Sequence, residues 1–129
     1  MSNTIIPGYE MPVSDKKLVV FDHYGPASYT QFSSGTGGDI INASDLNEGG
    51  FDDLEADMTD PTGQLYAFVI PGSGAATNVG NGNAFTSAVV VWYSRVSATV
   101  GGQSQTAGTQ VAASTNLSTF ALRIRGLCV

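Results

Sequence analysis

Phe85-Thr86-Ser87-Ala88-Val89-Val90-Val91-Trp92-Tyr93 is the stretch on which the fold class turns. Side chains alternate across a strand, so Val89, Val91 and Tyr93 share one face while Ala88, Val90 and Trp92 share the other. Its β-branched and aromatic content makes it the most strand-like segment of the chain. Moving back along the sequence, residues 64–70 repeat the pattern, with Leu65, Ala67 and Val69 on one side and Tyr66, Phe68 and Ile70 on the other. A strand that is apolar on both parities belongs in a sandwich core or at a subunit contact. Residues 71–83, rich in Gly and Asn, carry almost no packing side chains and read as a long surface or contact loop.

Further toward the N-terminus, Asp60-Pro61-Thr62-Gly63 suits a β-turn with Pro second and Gly fourth. In residues 51–58, Leu54, Ala56 and Met58 alternate with Asp53, Glu55 and Asp57, the pattern of a strand with one polar face. Residues 39–41, 27–32 and 18–21 supply three more strand candidates, the last two joined by the turn Asp22-His23-Tyr24-Gly25-Pro26. Residues 33–38, Ser-Ser-Gly-Thr-Gly-Gly, read as a flexible loop. On the C-terminal side, residues 101–108 form another uncharged loop before a last strand at 117–127. There Phe120, Leu122 and Ile124 face inward and Arg123 and Arg125 outward.

No segment has the apolar spacing of a helix, and Gly recurs too often to permit a long one. The expectation is an all-β chain: an antiparallel β-sandwich, jelly-roll-like, with a closed barrel of similar strand count as the alternative. Pro7-Gly8 and Met11-Pro12 are expected to break regular structure, so residues 1–16 read as an extended N-terminal arm and residues 17–129 as the β-sandwich domain. Such an arm is either frayed or ordered against a neighbouring subunit.

The totals narrow the function. A chain of 129 residues forms one domain and needs no disulfide or metal to close its core. Charged residues make up 12%, about half the usual share, and the net charge is -6. Between Lys17 and Arg95 stand nine acidic residues and no Lys or Arg. This argues against nucleic acid and anionic membranes as partners, since both are held by basic side chains. No apolar run is long enough to span a bilayer, and the N-terminus lacks the layout of a secretion signal, so a soluble protein made in a cytoplasm is expected.

The residues offer little for catalysis. His23 is the one histidine; Asp22 beside it points to the opposite strand face, so His23 is expected to hydrogen-bond within its turn rather than form a dyad. The acidic cluster Asp52, Asp53, Glu55, Asp57 and Asp60 reads first as a solvated strand face, second as a contact for a basic partner and third as a cation site lacking the EF-hand pattern. A glycosidase-type carboxylate pair there lacks an aromatic groove. Cys128, the only cysteine, reads as a small apolar residue near the last strand. Trp92 and Tyr93 read as packing residues. The glycine loops lack the Gly-Lys-Ser/Thr step of a phosphate cradle, and the sequons at Asn42 and Asn116 read as chance matches. No catalytic, cofactor-binding or metal residue is assigned, and no cofactor is expected.

Phe21-Asp22-His23-Tyr24-Gly25-Pro26-Ala27-Ser28-Tyr29-Thr30, together with Val91-Trp92-Tyr93, Ala107-Gly108-Thr109-Gln110-Val111-Ala112-Ala113 and Asn116-Leu117-Ser118 ahead of the last strand, resembles small structural proteins encoded beside the major capsid protein in tailed bacteriophages. The resemblance lies at the two ends of the chain and rests on turn and strand patterns; residues 31–36 lengthen a link that is shorter in sequences of that kind. It implies a capsid cement, or decoration, protein: a jelly-roll-like sandwich on the outer capsid surface of the virion. Such a protein bridges neighbouring capsomers by binding the major capsid protein, assembles as a homo-oligomer (dimer or trimer), and performs no chemistry. The alternative from another class is a tail, head-fibre or adhesin-type β module that binds a host glycan.

Overall fold

The computed structural model describes residues 2–13, 16–58, 62–72 and 85–129. They form an all-β domain of three small antiparallel sheets. The strands are β1 (Ser2–Val13), β2 (Lys16–Tyr24), β3 (Asp39–Asn42), β4 (Phe51–Met58), β5 (Leu65–Pro71), β6 (Ser87–Ser94), β7 (Thr99–Val100), β8 (Gln103–Ser104) and β9 (Ala121–Cys128). A single 3-10 turn, Ala43–Leu46, follows β3. The first sheet has the order β1-β2-β9-β4, the second β3-β6-β5, and β7-β8 is a small hairpin.

The alternation read from the sequence sets which residues meet. In β2 and β9, Val19 opposes Gly126, Phe21 opposes Ile124 and His23 opposes Leu122, and all but the glycine add a fully buried side chain. In β6, Ala88, Val90 and Trp92 are buried without exposure, joined by Ile41 of β3 and Leu65 of β5. These two sets belong to one core, together with Phe51, Leu117 and Cys128. Each large apolar side chain so buried contributes about 1.5–3 kcal/mol. Gly126 has a packing reason: a Cβ there would lie 2.6 Å from Cδ2 of Leu54, its partner on β4.

Several expectations need correcting. Residues 2–13 are a strand rather than an arm devoid of regular structure, because β1 runs antiparallel along the edge of β2. Pro7-Gly8 does not end it; the ladder instead shifts register between Ile5, opposite Phe21, and Glu10, opposite Val19. That is how an edge strand absorbs a residue with no N–H. His23 lies in β2, not in a turn.

Residues 27–32 form no strand. Pro26 leads the chain past Leu117, where a Cβ on Gly25 would come within 2.4 Å of the Leu117 Cβ. Tyr29 N–H then donates to Thr115 O and its carbonyl accepts from Ser114 N–H. At Phe32 the side-chain amide of Gln110 stands in for a neighbouring strand, accepting from the backbone N–H at 2.6 Å and donating to the carbonyl at 3.0 Å. The backbone is satisfied, as buried backbone must be, but by a side chain that no periodicity announces.

The expected loop at 101–108 carries only the two-residue strand β8, which pairs with β7 just before it, and the last strand begins at Ala121 instead of 117. Most of the loop expected at 71–83, and the turn residues Asp60 and Pro61, lie outside the described residues.

Candidate interaction surface

The two larger sheets present outward faces of opposite character. On the four-stranded sheet, β9 sends Arg123 and Arg125 outward between β2 and β4. Arg123 donates to both carboxylate oxygens of Asp22, at 3.0 and 3.2 Å, and Arg125 pairs with Asp57. Lys16 pairs with Asp52, while Lys17, on the parity of the buried Val19 and opposite Cys128, donates to Glu48 at 3.2 Å at the end of the sheet. A shallow hollow in this face is lined by Leu18, Asp53, Glu55, Arg125, Gly126 and Leu127. Partly exposed ion pairs of this kind contribute about 0–1 kcal/mol each, so their effect is to keep the face wet.

The outward face of β3-β6-β5 carries Ile40, Tyr66, Phe68, Ile70, Val89, Val91 and Tyr93. Tyr66 opposes Tyr93, Phe68 opposes Val91, and Ile70 opposes Val89. The Tyr66 and Tyr93 rings stack with centroids 5.4 Å apart, while Phe68 meets them edge-on at 5.9 and 5.7 Å. Val89 and Val91 stay below 9% exposed, with Gly38 of the preceding loop lying against the Val89 side chain, whereas Phe68 is 56% and Ile40 42% exposed. No acidic side chain points out from these three strands, and the guanidinium of Arg95 sits 5.2 Å over the Tyr66 ring. A contiguous aromatic and aliphatic patch of this sort on a chain of net charge -6 has the composition of an interface core, enriched in Tyr and Phe and free of carboxylates.

The residues singled out for chemistry are dispersed. Asp22 and His23 part to opposite faces, as expected. His23 turns into the core, where Nε2 donates to Asp39 Oδ2 at 2.6 Å and Nδ1 lies 2.5 Å from Asn3 Oδ1. Trp92 Nε1–H donates to the same Asp39 oxygen at 3.0 Å. Asp39 Oδ1 has no hydrogen-bond partner among the described residues. Above them the Tyr29 hydroxyl donates to Gln110 Oε1 at 2.8 Å and accepts from Trp92 N–H. Burial pushes the Tyr29 hydroxyl up to about 12 from its usual 10.0, with the nearby Asp39 carboxylate adding to the rise. This polar cluster ties β1, β2, β3 and β6 together, and its members His23, Asp39 and Trp92 are sealed from any substrate.

In the acidic cluster, Asp53 and Glu55 point outward from β4, Asp52 and Asp57 are held by Lys16 and Arg125, and Asp60 lies outside the described residues. Among the described residues no three His, Cys, Asp or Glu side chains converge as a metal site. Cys128 is buried in β9, and Trp92 is core while Tyr93 is part of the exposed aromatic group. Nor does any described helix have the length and apolar content to cross a membrane.

Comparison of the chain with protein-family models, with curated proteins and with solved structures finds no match in any of the three.

The doubly apolar pattern of residues 64–70 was the signal for the patch, since it allowed a subunit contact. What escaped the sequence was the pairing of Tyr66 and Phe68 with Tyr93, which depends on strand register. Asp39 and Asn3 also escaped, because their role comes from packing between sheets.

Proposed function

We propose that the protein is a non-enzymatic adhesive module, a capsid cement protein that seats the aromatic face of β3-β6-β5 on the major capsid protein at the outer surface of a tailed-phage virion. The observation that carries this reading is the carboxylate-free aromatic patch around Phe68, set opposite a face of ion pairs. The resemblance of residues 21–30 and of the closing third of the chain to phage structural proteins supplies the partner class. A jelly-roll-like sandwich built from the two larger sheets, and self-association as a dimer or trimer, belong to the same reading. The mechanism is linkage: a molecule that binds the closed shell but not its opened form raises the stability of the shell.

A glycan-binding tail or adhesin module is the second reading, favoured by the same exposed aromatics. Against it, the Tyr66 and Tyr93 rings already cover one another and Arg95 covers Tyr66, which leaves little ring face for a sugar. Adding purified protein to undecorated capsids tests the proposal. Phe68→Asp should reduce occupancy at least tenfold, since burying an unpaired carboxylate is far costlier than losing one contact. Arg123→Ala, on the other face, should bind as the unaltered protein does. Undiminished occupancy of Phe68→Asp would remove this face from the mechanism, and selective binding on a glycan array would favour the second reading.

A further inference from the structure

Along β5 and β6 the outward face changes character from one end to the other. Ile70 opposes Val89, which pairs on its other side with Ile40; then Phe68 opposes Val91 and Tyr66 opposes Tyr93. Just past the strand end Arg95 N–H donates to Gln64 O at 2.8 Å, so Arg95 follows Tyr93 onto the same face. Its guanidinium comes to lie 5.2 Å from the centroid of the Tyr66 ring. The turn beyond it is fixed as well: Ser94 Oγ accepts from Val96 N–H at 3.2 Å and donates to Val96 O at 2.7 Å.

The charge of Arg95 is left open where the others are closed. The sequence sets five Lys and Arg against eleven Asp and Glu, so counter-ions are plentiful. Lys16 pairs with Asp52, Lys17 with Glu48, Arg123 with Asp22 and Arg125 with Asp57. Arg95 is exposed, and among the described residues no side-chain oxygen bonds its guanidinium. A ring face attracts the cation without supplying the hydrogen-bond acceptors that its N–H groups seek. Contact with the ring also restricts the rotamers of the side chain, so a fork of donors that matches a carboxylate is held in place before any partner arrives.

We infer that this face reads a protein segment in which a carboxylate stands beside an apolar side chain, the carboxylate on Arg95 and the apolar group on Phe68. The two anchors flank one ring, since the Phe68 ring lies 5.9 Å from that of Tyr66 on which Arg95 rests. A single short segment can therefore touch both. Phe68 is the most exposed large apolar side chain described, and Arg with Tyr and Phe is the combination enriched in the cores of interfaces. Charge complementarity selects the occupant. An anionic group meets one fixed cation and no outward carboxylate from these strands, whereas a basic segment meets Arg95 unopposed. The class of partner rests on the cement reading above, and the carboxylate is what the geometry adds to it.

The isolated protein tests this with phenylbutyrate, which joins a ring to a carboxylate, and with phenylbutyramide, the same molecule without the charge. In NMR titrations phenylbutyrate should shift Arg95 Nε–H and the rings of Tyr66, Phe68 and Tyr93. It should bind about tenfold more tightly than the amide, the effect of one exposed charge-assisted hydrogen bond. Arg95→Gln should bring the two ligands to equal affinity, Arg95→Lys should restore part of the difference, and Phe68→Ala should weaken both. Equal binding of the two by the parent protein, phenylbutyrate binding undiminished by Arg95→Gln, or no shift at these residues at millimolar concentration would overturn the inference. Tighter binding of N-acetylneuraminic acid than of phenylbutyrate would overturn it in favour of an acidic sugar. On undecorated capsids Arg95→Gln should lower occupancy and flatten its fall with added salt. Capsids that take up Arg95→Gln as readily as the parent would also overturn the inference, while capsids that take up neither would sink the cement reading and leave the titration to judge this face.

Discussion

His23 carries both ring nitrogens into the core, and removing it leaves the carboxylate of Asp39 buried with only the Trp92 indole N–H for a partner. Breaking such a buried pair from one side costs about 3–5 kcal/mol, and that loss is expected for His23→Ala in denaturant unfolding. A loss under 1 kcal/mol would mean that the pair is dispensable. Tyr29 makes a second prediction. Its hydroxyl is raised in the folded protein, so the neutral form is favoured there and the associated stability is fully present below pH 10. It is lost as pH climbs from about 10 to about 12, and Tyr29→Phe should flatten the fall of unfolding free energy over that window. A parent and variant with parallel alkaline profiles would contradict it. At this scale the sequence told which face His23 would take relative to Asp22, because alternation is local. It did not tell that Asp39, sixteen positions away in the chain, would be its partner, since that contact depends on how one sheet lies against the other.

Strands were legible where the side chains alternate and illegible where the backbone is satisfied by something other than a strand. β4, β5 and β6 fall within a residue or two of the segments marked by periodicity, because burial of one parity enforces register. Residues 27–32 have strand-forming side chains but are held by Gln110 and by Ser114 and Thr115, partners distant in sequence. The N-terminal segment misled in the other direction. Pro and Gly count against a strand in a central position but not at an edge, where one side of the backbone needs no partner. Because β1 covers the edge of β2 and brings Asn3 to His23, deleting residues 1–12 should lower the unfolding midpoint and leave the remaining fold less cooperative. An unchanged midpoint would show that the strand adds nothing to stability, and unchanged occupancy of the truncated protein on capsids would confine its role to the fold.

The whole molecule is asymmetric in what it offers to its surroundings. One outward face is laced with Asp22–Arg123, Asp57–Arg125 and Lys16–Asp52 pairs; the other is aromatic and free of carboxylates, with Phe68 its most exposed large apolar side chain. Composition announced the scarcity of charge but not its segregation, which appears only when β4, β5, β6 and β9 are placed in their sheets. Orientation follows from this asymmetry: the aromatic face should be the one that is covered, and the ion-paired face the one left in solvent. A cryo-EM map of intact particles decides this directly. The expected result is density for this fold on the outside of the shell, with Tyr66, Phe68 and Tyr93 buried against capsid protein and Arg123 and Arg125 exposed. Particles without the protein, or with the Arg123 and Arg125 face seated on the shell, would contradict it.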